Sequence, residues 1–344
     1  MIENYFTKQD KCYMIAEIGV NHNGEMNLAK ELIDAAKESG ADAAKFQTFK
    51  ASSLVSKGTP KVRYQEDTTS KEESHYEMIQ KLEFKFEDHG EIKNYCDSKG
   101  IDFLSTAYDV ESAIFLDKLG VKAFKTASAD IVDMPLQKYI AETGKPSIVS
   151  VGMATMQEIQ DLVELYEESK NQDIILLHCV SNYPCSDQSL NLRVIHALKD
   201  EFKVPVGYSD HSIGSEAAMI SMAYDVKVIE KHFTLDKTMN GPDHKASSTP
   251  EEFKTLVDNI RRAEIALGSP VKSCQEEEKQ MSTVSRKSIM AKDKIRKGET
   301  ISAEKITLKR PGTGLNGFQL ADVIGKKAKK EIEIDEMIKL EEIE

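Results

Sequence analysis

Eight short runs of β-branched and apolar residues, each followed by a longer stretch of helical period, set the limits on what this chain can fold into. The runs are Tyr13–Val20, Ala43–Phe49, Asp102–Tyr108, Ala123–Ala129, Ser147–Met153, Ile174–Val180, Pro205–Ser212 and Lys227–Thr234. Strands separated by helices cannot close as tight hairpins and need crossovers, so their sheet is parallel. Eight such units predict an α/β protein built as a closed (β/α)8 TIM barrel, with a doubly wound open sheet as the alternative. The helical stretches support this. Asn27–Ser39 sets Leu28, Ala29, Leu32, Ala35 and Ala36 on one face and stops at Gly40; Glu111–Leu119 stops at Gly120; Thr155–Glu168 ends in acidic residues on a solvated face.

After a last helix over Pro250–Leu267 the pattern breaks. The barrel is read as 1–267, the polar and aperiodic GSPVKSCQEEEKQMST as a linker over 268–284, and 285–344 as a small β-rich domain punctuated by Lys-Gly-Glu and Pro-Gly-Thr-Gly. One insertion stands out: Lys50–Glu83 is polar, rich in Ser, Thr, Lys and Glu, and reads as a long loop of the functional-lid kind.

A net charge of −12 argues against nucleic acid or an anionic membrane as partner. Five cysteines without CxxC spacing point to reduced thiols in a cytoplasmic protein. The opening MIENYFTKQDKCYM has no apolar export core, and no run approaches a membrane span. An acidic protein that binds an anion must gather a few cations in one pocket.

In such a barrel the catalytic side chains sit at the C-terminal strand ends. Lys45 and Lys125 lie within strands two and four among apolar neighbours. Each either pairs with a buried carboxylate such as Glu17 or Asp130, or faces a phosphate together with the hydroxyls of Thr106, Ser128, Ser150 and Ser209. His211 and His232 end the adjacent strands seven and eight, with Glu17, Asp210 and Glu230 near them in the pattern. Two converging imidazoles suit Mn²⁺, Co²⁺ or Zn²⁺ better than Mg²⁺, the remaining positions going to water and a substrate oxygen. His22, His178 and His244 read as ordinary core histidines.

The runs AEIGVNHNG (16–24), KFQTF (45–49), LSTAYD (104–109), FKTASAD (124–130), GYSDHS (207–212), EKHFT (230–234), GPDHKAS (241–247) and KRPGTG (309–314) together resemble the sialic acid synthase family, whose members make N-acetylneuraminate, legionaminate and pseudaminate. The C-terminal segment resembles that family's antifreeze-like SAF module. The resemblance implies condensation of phosphoenolpyruvate with an N-acylated mannosamine-type sugar. It implies Glu17 and Glu230 as catalytic groups and His211 and His232 as metal ligands, with Mn²⁺ first and Mg²⁺ or Co²⁺ as alternatives. Lys45, Thr106, Lys125, Ser128, Ser150, Ser181 and Ser209 match phosphoenolpyruvate positions. Gln47, Asp130, Tyr183, Asp243 and Arg310 match sugar positions, with Arg310 reaching the other subunit of a domain-swapped homodimer. Asp130 replaces a common glutamate, Ser181 a common asparagine, and Ala107-Tyr108 a Pro-Phe pair; the pattern is nearer the legionaminate-type branch than the pseudaminate branch. Two other readings are open: a Schiff-base aldolase using Lys45 or Lys125, and a carbohydrate-binding module.

Overall fold

The computed structural model describes Phe6 and residues 11–70 and 72–344; most of the opening segment read above for export signals lies outside the described residues. The chain divides into two compact units, Met1–Gly268 and Ser269–Glu344.

The first unit is a closed barrel of eight parallel strands in sequence order: β1 (Tyr13–Gly19), β2 (Ala43–Thr48), β3 (Asp102–Ala107), β4 (Phe124–Thr126), β5 (Ser147–Ser150), β6 (Ile174–Cys179), β7 (Val206–Asp210) and β8 (Val228–His232). β8 pairs back onto β1, so the open-sheet alternative is excluded. Every expected strand is present, each ending one or more residues earlier than expected as the chain turns into the following loop.

Period-two alternation explains the interior. An apolar cluster made by Ile15, Ala43, Leu104, Ala123, Ile148, Leu177 and Val228 plugs the barrel. Two residues further along each of those strands stand Glu17, Lys45, Thr106, Lys125, Ser150, Cys179 and Glu230, all buried. One pleat therefore separates a dry plug from a charged layer facing the same axis. Gly207 fits this pinch: a Cβ there would meet Leu177 Cδ2 at 2.4 Å and the Val228 carbonyl oxygen at 2.6 Å. The outward residues of the strands pack on the helices in a larger core that includes Met14, Ala16, Phe46, Phe103 and Tyr208.

The helices follow their sequence signals with small shifts. Helix Met26–Glu38 buries Ala29, Leu32, Ile33 and Ala36, so Ile33 joins the expected face while Leu28 and Ala35 sit at its margin. Thr155 caps Met156–Glu168 through a reciprocal box with Glu158. The insertion is a larger departure. Instead of an unstructured loop, Lys50–Glu83 contains helices Ala51–Leu54, Arg63–Thr68 and His75–Leu82. The last is started by a Ser74–Glu77 capping box and buries Met78 and Leu82 against Val20 and Phe49. A capping box and a two-residue apolar face are weak signals in a polar stretch.

In the second unit, β9 (Ser288–Ala291) and β10 (Ile306–Lys309) form an antiparallel pair. Most of its remaining strand contacts are isolated bridges, such as Ile295 with Ile332 and Ala328 with Ile343. Isoleucines hold it together: Ile289, Ile295, Ile301, Ile332 and Ile338 are fully buried. The stretch read as an aperiodic linker, 268–284, is partly helical, with a 3-10 turn at Glu276–Glu278 and a helix over Lys279–Ser285, neither burying a residue. Among the described residues no helix is long and apolar enough to cross a membrane.

Candidate active site

The charged layer is one connected network. Lys45 Nζ lies 2.8 Å from Glu17 Oε2, 2.9 Å from Thr106 Oγ1 and 3.5 Å from Glu230 Oε2. Gln47 donates to Glu17 Oε1 at 3.1 Å. Glu230 accepts from Ser209 Oγ at 2.9 Å and stands 3.8 Å from Lys125 Nζ, which donates to Ser150 Oγ at 2.7 Å and to the Thr126 carbonyl at 2.9 Å. Both lysines thus have the carboxylate neighbour of the plainer reading. They also share one buried network with Ser150 and Ser209, which that reading does not require.

The local backbone is shaped for this. A register shift between Glu17 and Gly19 bends the end of β1, and Gly19 takes φ +57°, where a Cβ would press on Gln47 Nε2 at 3.1 Å and Glu17 Oε1 at 3.2 Å. Gly152, after β5, is the second such point. A Cβ there would meet Ser181 Oγ at 2.6 Å, Cys179 Sγ at 2.7 Å and Ser128 Oγ at 2.9 Å. Three polar side chains converge on a bare backbone whose own N–H donates to Ser128 Oγ at 3.0 Å. A bare main chain of this kind can admit an anion, which a side chain at this position would block.

Across the mouth, His211 and His232 stand with ring centroids 5.5 Å apart. Tyr183 covers both, at 4.2 Å and 5.2 Å. His211 Nδ1 is 2.7 Å from the Val180 carbonyl, which fixes that nitrogen as the donor and leaves Nε2, 3.4 Å from Ser209 Oγ, with its lone pair directed inward. His232 Nδ1 is buried without a hydrogen bond and lies 3.8 Å from Asp243 Oδ2. Burial holds His211 down to about 4 against the Val180 carbonyl and the charge of Glu230, and burial with His211 beside it holds His232 well below its usual range. Neutral imidazoles with unused lone pairs fit a divalent cation. Among the described residues no three His, Cys, Asp or Glu side chains converge as a closed metal cage, so the protein would supply these two nitrogens and leave the other positions open.

The two catalytic-candidate carboxylates differ. Burial opposes ionisation of Glu230, but Lys125 and Lys45 overcome it and bring the group down to about 2. Burial raises Glu17, against which stand Lys45 and the Gln47 hydrogen bond, and it feels Glu230 as a like charge. Burial and then the charge of Glu17 push Asp243 up to about 7; burial and then Asp133 push Asp130 up to about 7, and one Asp130 oxygen is buried without a hydrogen bond.

The Asp130 shift has a testable sign. Its folded-state pKa lies above the usual carboxylate value of about 3.9, so between pH ~4 and ~7 the native state keeps a proton that the unfolded chain has lost. Stability from this group falls as pH rises through that window. The Asp130→Asn variant lacks this loss, so its melting temperature relative to the parent is expected to be higher at pH 8 than at pH 5, measured by calorimetry. A pH-independent difference would contradict the environment described.

Fifteen of the sixteen sequence candidates fall in or beside this layer: Glu17, Lys45, Gln47, Thr106, Lys125, Ser128, Asp130, Ser150, Ser181, Tyr183, Ser209, Glu230, Asp243, His211 and His232, all but Arg310. Arg310 belongs to the second unit, where it is exposed. One neighbour was misread. Asp210, grouped above with the histidines, lies between Ser209 and His211, so the pleat turns it to the outer face. There it pairs with Lys231 at 2.7 Å and accepts from Ser212 N, Ser212 Oγ and Tyr208 Oη. Lys231→Met strands this buried carboxylate and is expected to cost about 3–5 kcal/mol in urea unfolding; a loss under 1 kcal/mol would show the pair to be dispensable. The other histidines are structural: His178 bonds the Leu190 carbonyl at 2.7 Å, His22 stacks on Phe84 at 3.8 Å, and His244 bonds Thr234 at 2.6 Å. Cys179, 3.0 Å from Ser128 Oγ, and Tyr64, 5.4 Å from the Tyr183 ring, escaped the sequence reading. Cys179 was signalled by its place two residues after Leu177; Tyr64 had no signal of that kind.

A closed parallel barrel with ionisable groups gathered at its C-terminal strand ends is the layout of a (β/α)8 enzyme. A profile described as the NeuB family matches residues 32–272, and one described as the SAF domain matches 286–344. The chain is 44% identical over 320 residues to an N,N'-diacetyllegionaminic acid synthase of Legionella pneumophila, covering 92% of this chain and 90% of that one. It is also 44% identical to one of Campylobacter jejuni, covering 96% and 99%. A solved structure of an N-acetylneuraminic acid synthetase from Leptospira borgpetersenii, in complex with citrate, superposes with a TM-score of 0.69 at 34% identity, covering 79% of this chain and 90% of that one. The chain belongs to the NeuB family, with a C-terminal SAF domain, and is an enzyme of the nonulosonate synthase class.

Proposed function

We propose that this enzyme joins phosphoenolpyruvate to the open-chain form of an N-acylated mannosamine-type sugar and, with water, yields a nonulosonate and phosphate. The observation that carries the reading is the division of one mouth into an anion half, with Lys45, Lys125 and the serine cradle around Gly152, and a half lined by Asp243, Tyr183 and two imidazoles. The 2,4-diacetamido-2,4,6-trideoxymannose that leads to diacetyllegionaminate is our first acceptor, supported by the names of two relatives; N-acetylmannosamine is the second.

Lys125, Ser128, Ser150, Ser181 and the Gly152 N–H hold the phosphate, with Lys45 and Thr106 beside them, and Ser209 sets the orientation of Glu230. His211 and His232 would hold the divalent cation, Mn²⁺ by our reading, which when bound supplies Lewis acidity toward the sugar carbonyl. The methylene carbon of phosphoenolpyruvate forms the new bond to the aldehyde carbon, and the aldehyde oxygen takes a proton. Water then adds at the former enol carbon, and the tetrahedral intermediate expels phosphate, which carries off the proton of the new hydroxyl as the keto group forms. Glu17 is the group raised toward protonation, so we assign it both tasks: it protonates the aldehyde oxygen and then accepts the proton of the incoming water. Glu230 stays ionised between the lysines and fixes their spacing. Alignment of two reactants in one cavity is the larger part of the rate gain.

We place the enzyme in the cytoplasm, in keeping with five free cysteines, as a homodimer in which Arg310 serves the partner's site. The Schiff-base aldolase reading is not favoured: the named relatives are synthases, and Lys125 Nζ is held by Ser150 and the Thr126 carbonyl. Phosphate release from phosphoenolpyruvate, measured with each acceptor and Mn²⁺, tests the proposal. Stoichiometric phosphate and keto acid are expected. Borohydride-trapped substrate on Lys125 without phosphate release would favour the aldolase instead.

A further inference from the structure

The insertion between β2 and β3 carries a tyrosine to the barrel mouth that no strand-end pattern announces. Helix Arg63–Thr68 sets the Tyr64 ring 5.4 Å from Tyr183, tilted 45°, and Tyr183 in turn covers both imidazoles. Thr68 Oγ1, one turn on, reaches the Pro242 carbonyl at 3.4 Å, next to Asp243. After burial, the Asp243 carboxyl is the charge felt most at the Tyr64 phenol. Tyr108 also belongs to this side of the mouth: beyond burial, its phenol feels Asp130, Glu17, Asp243 and then Tyr64. The Tyr64 hydroxyl has a 3.5 Å approach from the Gln65 amide, the limit of a useful hydrogen bond, so it retains capacity for a better partner.

Tyrosines beside carboxyls make a surface suited to an amino sugar. Their rings cover C–H faces while phenols and carboxyls meet hydroxyl and amide groups. The opposite half, lysines and serines, suits the anion. Tyr64 stands on the first half only.

We propose that Tyr64 is an acceptor-binding residue, its ring closing the sugar half of the mouth against Tyr183 and its hydroxyl bonding the bound amino sugar. This rests on the proposed synthase reaction and adds to it the insertion as a working wall of the site.

The chain has no tryptophan, which makes the test clean. Tyr64→Trp creates a single indole reporter. Its emission is expected to shift saturably when 2,4-diacetamido-2,4,6-trideoxymannose or N-acetylmannosamine is added to the phosphoenolpyruvate-loaded protein, and to stay still on phosphoenolpyruvate alone. Tyr64→Phe, which keeps the ring, is expected to raise the ratio of acceptor KM to phosphoenolpyruvate KM about 5- to 10-fold, the scale of one neutral hydrogen bond. Tyr64→Ala is expected to raise that ratio further. Emission that ignores saturating acceptor during turnover, or an equal rise in both KM values in the Phe and Ala variants, overturns the proposal. Failure of the unmodified enzyme to release phosphate with either sugar overturns the underlying reaction instead, and is read without any variant.

Discussion

Lys125→Ala is expected to lower kcat/KM for phosphoenolpyruvate on the order of a hundredfold, since charge-assisted hydrogen bonds are worth up to about 3 kcal/mol. The residue is 2% exposed, and its ammonium bonds Ser150 and the Thr126 carbonyl beside Glu230, so no water-borne cation replaces it readily. Lys125→Arg should rescue little of the loss, because the planar guanidinium fork is larger than the slot between Ser150 and Glu230. There is a second consequence. Glu230 is kept low by Lys125 first and Lys45 next; without the former, burial pushes its carboxyl up. The variant's rate should therefore show an acid-side pH dependence beyond that of the parent. Steady-state phosphate release across pH measures both effects. A loss below threefold with an unchanged profile would mean that the phosphate sits elsewhere.

His211→Ala and His232→Ala are expected to reduce turnover by more than a hundredfold. Even groups that merely orient metal-bound imidazoles cost 10- to 100-fold in affinity when removed. In the parent, treatment with a chelator should abolish phosphate release and added Mn²⁺ should restore it; in either variant restoration should require far more metal. The imidazoles are neutral at physiological pH, His211 being held at about 4, so protons compete little with a cation there. Near-normal, chelator-resistant turnover in His211→Ala would remove the histidines from the chemistry.

Much of this was legible because barrel architecture turns sequence position into depth. On a strand, a charge two residues past an apolar residue faces the same axis one layer higher, which is why Lys45 after Ala43 and Glu230 after Val228 could be placed on one floor. The same rule, applied loosely, misplaced Asp210: neighbouring a site residue on a strand means facing away from it. Tyr64 was illegible for another reason. It arrives on a six-residue helix inside a polar insertion, where there is no strand end to give it an address. The second unit was read as β-rich from its turn residues, yet its order comes chiefly from buried isoleucines joined by single bridges, which periodicity cannot resolve. Arg310 stands in that unit, and its service to a partner's site is carried by the proposed dimer; size-exclusion chromatography of the intact protein tests the dimer itself.

Crystals of the enzyme with Mn²⁺ and phosphoenolpyruvate would test the central claim most directly. Phosphate density is expected against the Gly152 N–H, Ser128 and Lys125, with the metal bonded to His211 and His232 in the same mouth. Phosphate bound on a different face of the barrel from the two imidazoles would contradict it.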